Sequence, residues 1–251
     1  QIQGGKNLAL VRASGRDSTV ELDNCTCLCK ANGSDASPYP KKVAACCIAG
    51  QGANLKMSKC HLTSTASLGR GILCWGRGSS VLAENCTFEE CGSSACWCRE
   101  AGSVAVLLGC KVSYCGGYGA IYATNGGKVV LKSVSQQHND HGYGLMVLHE
   151  GSQVEASGCT FNSNLWAGVG VRWSGRAHVE DCEICGNGAA GFQVRGSCMA
   201  GVQCINNREE GNYADPRFAR VYINDPARTS VPSKGVPSRG VTRSSVSRAL
   251  Q

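Results

Sequence analysis

The chain has 251 residues, a formal charge of +7, and 42% hydrophobic against 17% charged residues, which is enough apolar surface for a core and excludes a wholly disordered chain. With 33 glycines, 18 cysteines and only 6% aromatics, it reads as many short strands joined by glycine turns rather than a helical bundle. No run approaches the ~20 apolar residues of a membrane span, and no secretory signal opens the chain, so no transmembrane segment is expected. Gln1 in place of a starting Met fits a fragment or processed form.

In chain order, residues 1–14 read as a lead-in strand or cap, residues 15–212 as a repeat array, and residues 213–251 as an extended arm. The array announces itself through glycines at 78, 102, 126, 151 and 175, spaced 24, 24, 25 and 24 residues apart. Eight residues after the first four come Cys86, Cys110, Val134 and Cys159, and after Gly175 comes Cys182, one residue early. Gly52 with Cys60, Gly15 with Cys25, and Gly196 with Cys204 extend the same frame. The first unit is longer, 37 residues from Gly15 to Gly52, because of an insertion at about 31–42 that reads as a side loop.

Relative to the cysteine column, Val20, Leu55, Val81, Ala105, Val129 and Val154 stand five residues before it. Leu22, Met57, Ala83, Leu107, Leu131, Ala156 and Val179 stand three before, and Cys27, Leu62, Phe88, Val112, Gln136, Phe161 and Ile184 two after. Five after stand Cys91, Cys115, Asn139, Asn164 and Asn187. A glycine then opens a further alternating strand, as in Gly71-Ile72-Leu73-Cys74-Trp75, Gly119-Ala120-Ile121-Tyr122 and Gly144-Leu145-Met146-Val147-Leu148. Period-two alternation within a unit means strand. One unit cannot bury its inner side alone, but stacked units close a continuous core of like-on-like ladders. The asparagines would form an amide ladder at one turn.

Val-x-Leu-x-x-Cys-x-Phe, then Asn and Gly-Ile/Val-x-Val, resembles the repeat of right-handed, pectate-lyase-like parallel β-helices. The resemblance covers Gly15 to Asn207 and implies an all-β solenoid of about seven 24-residue turns. It says little of activity, since that fold carries lyases, hydrolases and epimerases as well as non-catalytic modules such as those linked to F-box proteins.

Seven cysteines (Cys25, Cys60, Cys86, Cys110, Cys159, Cys182, Cys204) fall in the inward column, and Cys74 and Cys98 face inward from the post-glycine strand, where a free thiol acts as a small hydrophobe. Reduced thiols and an intracellular, reducing compartment follow, with secretion as the alternative. Cys25, Cys27 and Cys29, or Cys182 and Cys185, are the best zinc candidates, but a structural site needs two separated pairs. No metal and no cofactor is expected. The sequons at Asn24 and Asn85 restate the turn before the cysteine, and a third stands at Asn32.

An enzyme on this architecture needs acids, bases and cations converging from neighbouring turns. The outward column four residues before the cysteine instead reads Glu21, Lys56, Leu82, Val106, Val130, Glu155 and His178. One polar constellation stands out, His138, Asp140 and His141 at a turn, the candidate catalytic residues of a carbohydrate-active lyase, epimerase or hydrolase. The stronger signal is apolar. Leu73, Trp75, Trp97, Ile121, Met146 and Leu148 should line one outer face, and Leu82, Val106 and Val130 another. Contiguous outward apolar residues mark interfaces, and tryptophans anchor them. The favoured reading is a non-catalytic scaffold or interaction subunit whose partners are other proteins of a larger assembly, with carbohydrate as the alternative ligand.

The arm carries seven basic residues, Arg217, Arg220, Arg228, Lys234, Arg239, Arg243 and Arg248, against Asp215 and Asp225, leaving +2 for the rest. Such an arm suits acidic surfaces. No RNA-binding signature accompanies it, so nucleic acid is not expected. The first six of these cations are the expected tail contacts.

Overall fold

The structure, a computed structural model, describes residues 2–4, 9–29, 45–66, 68–195, 198 and 201–213. The insertion at 31–42 and all the tail cations, Arg217 through Arg248, lie outside the described residues. Among the described residues the elements are β-strands, with 3-10 positions at Cys198 and Gly201, and the chain winds through three parallel sheets in turn. Sheet 1 runs from Ala9–Ser14 to Phe192–Val194 and sheet 2 from Thr19–Asp23 to Val202–Ile205, eight strands each. Sheet 3, with nine strands, runs from Ile2–Gly4 to Arg208–Glu210. The molecule is an all-β parallel β-helix. The lead-in joins the stack, since Ile2–Gly4 pairs with Thr26–Cys29 and Ala9–Ser14 with Ala45–Gly50.

The interior follows from the sequence columns. In sheet 2, Val20, Leu55, Val81, Ala105, Val129 and Val154 pair in register, as do Leu22, Met57, Ala83, Leu107, Leu131, Ala156 and Val179. Apart from Val20 and Leu22 at the N-terminal end, these side chains are buried in one core cluster running the length of the helix. The residue before the cysteine column takes a left-handed conformation in turn after turn, at Asn24, Lys59, Asn85, Gly109, Ser133, Gly158 and Asp181. Asparagine and glycine tolerate that conformation best, which accounts for the sequons at Asn24 and Asn85 without invoking glycosylation.

The asparagine ladder is present and one rung longer than expected. The Asn139 and Asn164 backbone N–H groups donate to Asn164 Oδ1 (3.1 Å) and Asn187 Oδ1 (3.0 Å). Asn187 N–H donates to Asn212 Oδ1 (3.0 Å). Gln136 Nε2 also donates to Asn164 Oδ1 (2.7 Å), and Asn164 Nδ2 returns a bond to Gln136 Oε1 (3.0 Å). These amides satisfy backbone groups at a corner that would otherwise be buried without partners. Cys115 pairs with Asn139, so thiols replace amides toward the N-terminus.

Two expected registers shift. Cys96 pairs with Ile121 and Trp97 with Tyr122, so Ile121 is not on the outer face but fully buried among the core residues. The small-residue column of sheet 1 contains Gly71, Ala95, Ala120, Gly144, Gly168 and Gly191, and Ala120 rather than Gly119 fills it. At Gly144 an added Cβ would collide with Gln136 and Asn164, which explains glycine there. Further along, Cys204 pairs with Val179 rather than Cys182, so Asn207 takes the cysteine position and its Oδ1 accepts from Cys182 N–H at 2.9 Å.

Candidate functional site

All eighteen cysteines are free thiols, sixteen buried and two, Cys25 and Cys185, half-buried. Burial pushes the Cys46 and Cys204 thiols up to about 12 and Cys60 up to about 11. Cys74 is pushed up by its hydrogen bond to Cys98 and by burial. Thiols held protonated in this way are poor nucleophiles and poor ligands, whereas hydrogen bonds from neighbouring thiols lower Cys98, Cys110 and Cys159, and Cys47 lowers Cys27 to about 7. Among the described residues, no three His, Cys, Asp or Glu side chains converge as a metal site.

The histidine turn does not assemble. His138 adopts φ +55° and stacks on Tyr114, with ring centroids 5.2 Å apart. Asp140 and His141 are exposed, and among the described residues neither side chain makes a hydrogen bond or ion pair. Proton transfer needs groups fixed within reach of one another or of a common substrate atom. This turn offers no such pairing.

The outer face of sheet 1 is where side chains converge. Two outward columns run along it. One carries Ile48, Leu73, Trp97, Tyr122, Met146, Gly170 and Gln193, the other Gly50, Trp75, Arg99, Thr124, Leu148 and Arg172. Leu73, Met146 and Leu148 point outward as expected but are not exposed, being covered by their neighbours on that face. Trp75 lies across Gly50, where a Cβ would strike the indole. Gly170 likewise leaves room for the Met146 sulfur and the Tyr143 ring.

Above this layer lies a strip of aromatic rings and arginines. Trp97 stacks on Tyr122 at 5.9 Å and donates Nε1–H to Thr124 Oγ1 at 3.0 Å. The Arg70 and Arg99 guanidinium carbons sit 4.3 and 5.2 Å from the Trp97 ring centroid, within the range of cation–π attraction. Tyr118 and Trp166, from the loops entering sheet 1, meet Tyr143 edge-on at 5.5 and 5.3 Å. Arg172 donates to the Tyr118 and Tyr143 hydroxyls and to Gln193 Oε1 (2.8 Å).

The electrostatics of the strip are one-sided. Arg70 is 8% exposed; among the described residues its Nη1 donates to a backbone carbonyl, Leu68 O (3.2 Å), and no carboxylate pairs with it. Burial and the Arg99 charge push its pKa down to about 10. Arg99 meets Glu100 at 3.2 Å, yet the Nε atoms of Arg70, Arg99 and Arg172 are all buried without an acceptor among the described residues. Burial also pushes Tyr122 and Tyr143 up to about 12, so both phenols stay neutral.

The outer face of sheet 2 is plainer. Leu82, Val106 and Val130 adjoin in register and are half-buried, between the exposed ion pairs Lys56–Glu21 (2.9 Å) and Lys128–Glu155 (2.6 Å). A depression of about 500 Å³ follows, with Glu155, Arg176, His178 and Gln203 on its walls. His178 there bonds Gln203 Oε1 at 2.9 Å, which together with Glu180 raises its pKa.

Of the expected interface residues, sheet 1 gathers Trp75 and Trp97 at one end of the strip and Met146 and Leu148 beneath the other. Arg70, Arg172, Tyr118, Tyr122 and Trp166 were not foreseen. Tyr118 and Trp166 carry a sequence signal nonetheless: each follows the Cys115 or Asn164 corner by two or three residues, where the chain enters sheet 1. The fold thus defines a right-handed β-helix with one elaborated face. Residues 45–209 match the family model described as right handed beta helix region, and the chain belongs to that family. No curated protein and no solved structure matches it.

Proposed function

We propose that this chain is a non-catalytic recognition module, a scaffold subunit that holds a protein partner on the outer face of sheet 1. The observation that carries the reading is the continuous aromatic and arginine strip from Trp75 to Trp166. Tryptophan, tyrosine and arginine are the residues that dominate binding energy at protein interfaces. Its layer beneath is already packed, so the rings stand on a rigid base, and rigid anchors lose little entropy on binding. The basic arm, with Arg217, Arg220, Arg228, Lys234, Arg239 and Arg243, would add attraction to an acidic assembly. Against catalysis stands the unassembled His138, Asp140 and His141 turn.

The test is the native mass of the species holding this chain in gentle extracts of its source cells. A defined assembly that dissolves on combined Trp75→Ala and Trp97→Ala supports the module. A free 26 kDa chain, or an assembly indifferent to both changes, removes it. The thiol set supports a reducing compartment, because sixteen buried thiols gain nothing from oxidation in an already laddered helix. Alkylation of the folded chain at pH 8 should label Cys25 and Cys185 first. Early labelling of Cys96 or Cys74 would contradict the burial on which this rests.

A further inference from the structure

The arginines on sheet 1 carry more charge than the described face balances. Glu100 meets Arg99 at 3.2 Å, but among the described residues no carboxylate meets Arg70, which is more than nine-tenths buried, or Arg172, and three guanidinium Nε–H groups in the strip lack acceptors. A buried guanidinium without a counter-charge is costly, and a carboxylate set against the half-exposed ends of Arg99 and Arg172 adds charge-assisted bonds and offsets the positive charge that Arg70 holds beneath the Trp97 ring. The strip's own neutral acceptors are largely taken up, Thr124 Oγ1 by Trp97 and the Tyr118 and Tyr143 hydroxyls and Gln193 Oε1 by Arg172, and none of them carries a negative charge. The two long segments outside the described residues are poor in acids: residues 30–44 hold three lysines and one aspartate, and residues 214–251 seven cations and two aspartates.

We infer that the occupant of this face is an acidic, extended peptide segment of the partner, lying along the helix axis with carboxylates on Arg99 and Arg172. The inference rests on the module reading above and names the partner's chemistry. Arg99, Thr124, Leu148 and Arg172 share one column, so the two arginines stand three rungs apart. At ~4.8 Å per rung that is about 14 Å, the span of about four residues of extended chain at ~3.4 Å each. Two acids four residues apart therefore meet both arginines, while the Tyr122 and Tyr118 rings beyond the Arg99 rung, and Trp97 on it, receive the other side chains. An acidic polysaccharide carries carboxylates too, and the binding test distinguishes it.

The test uses the purified full chain and fluorescent 12-residue peptides read by anisotropy. One carries Glu at two positions four apart, a second carries Gln at both, and a third carries the two Glu adjacent. The first should bind at least about tenfold more tightly than the second, as expected for a charge-assisted bond lost, and more tightly than the third. Arg99→Gln and Arg172→Gln should each erase that preference, with unchanged thermal melts showing that the fold is kept. Equal binding of the Glu and Gln peptides, no binding, or tighter binding of an oligogalacturonate overturns the inference. If the native assembly still dissolves on Trp97→Ala while the Glu peptide has no advantage, the module stands and only its acidic partner falls. If the assembly ignores Trp97→Ala, the module reading itself has failed.

Discussion

Sheets 1 and 2 share every rung of the helix, so their outer faces differ only in which residues point outward. On sheet 2 these are Lys56, Leu82, Val106, Val130 and Glu155, short or flexible side chains closed off by exposed ion pairs. On sheet 1 they form two layers, an apolar one sealed by its neighbours and an aromatic and arginine one above it. The lesson is that a β-helix separates its tasks. The inward columns specify the solenoid and are nearly the same in every turn, while an outward face can be built up independently. The loops entering sheet 1 supply Tyr118 and Trp166 over its outer face, whereas the turns leaving it for sheet 2 place an aromatic pair, Trp173 stacked on His149 at 5.1 Å, at the corner instead.

The comparison can be broken from the inside. Asn164→Ala removes acceptors from Asn139 N–H and Gln136 and leaves buried polar groups unpaired, so both faces should lose support together. The expected cost is about 3 kcal/mol or more, read by chemical denaturation. A change under about 1 kcal/mol would mean that the ladder is incidental. The comparison is sharpened from the outside. Trp97→Ala should weaken partner binding by about 2 kcal/mol, while Val106→Ser on sheet 2 leaves binding unaltered. The smallest effect belongs to the exposed Lys128–Glu155 pair. Lys128→Ala should shift stability by no more than about 0.5 kcal/mol, since solvent screens such pairs.

The interior was legible in the sequence because its columns repeat one residue class at one spacing. Val20 through Val154 and the asparagine ladder could be read directly. The two register shifts arose where that uniqueness lapses. Gly119 and Ala120 are both small enough for the corner, so spacing alone put Ile121 outside. Cysteine occurs in several columns, so Cys204 could be placed three positions away from its true partner, Val179. The strip was less legible for a different reason. It draws residues from strands and loops on different rungs, and only the winding of the chain brings Arg70 to Trp97, or Tyr118 to Arg172.

The central claim is that recognition sits on sheet 1, and a paired photo-cross-linking measurement tests it most directly. A photoreactive amino acid would replace Tyr122 in one version of the chain and Val106 in the other, each irradiated within the native assembly. The account predicts cross-links to a second protein from position 122 and none from position 106. Cross-links from 106 alone, or from neither, would contradict it.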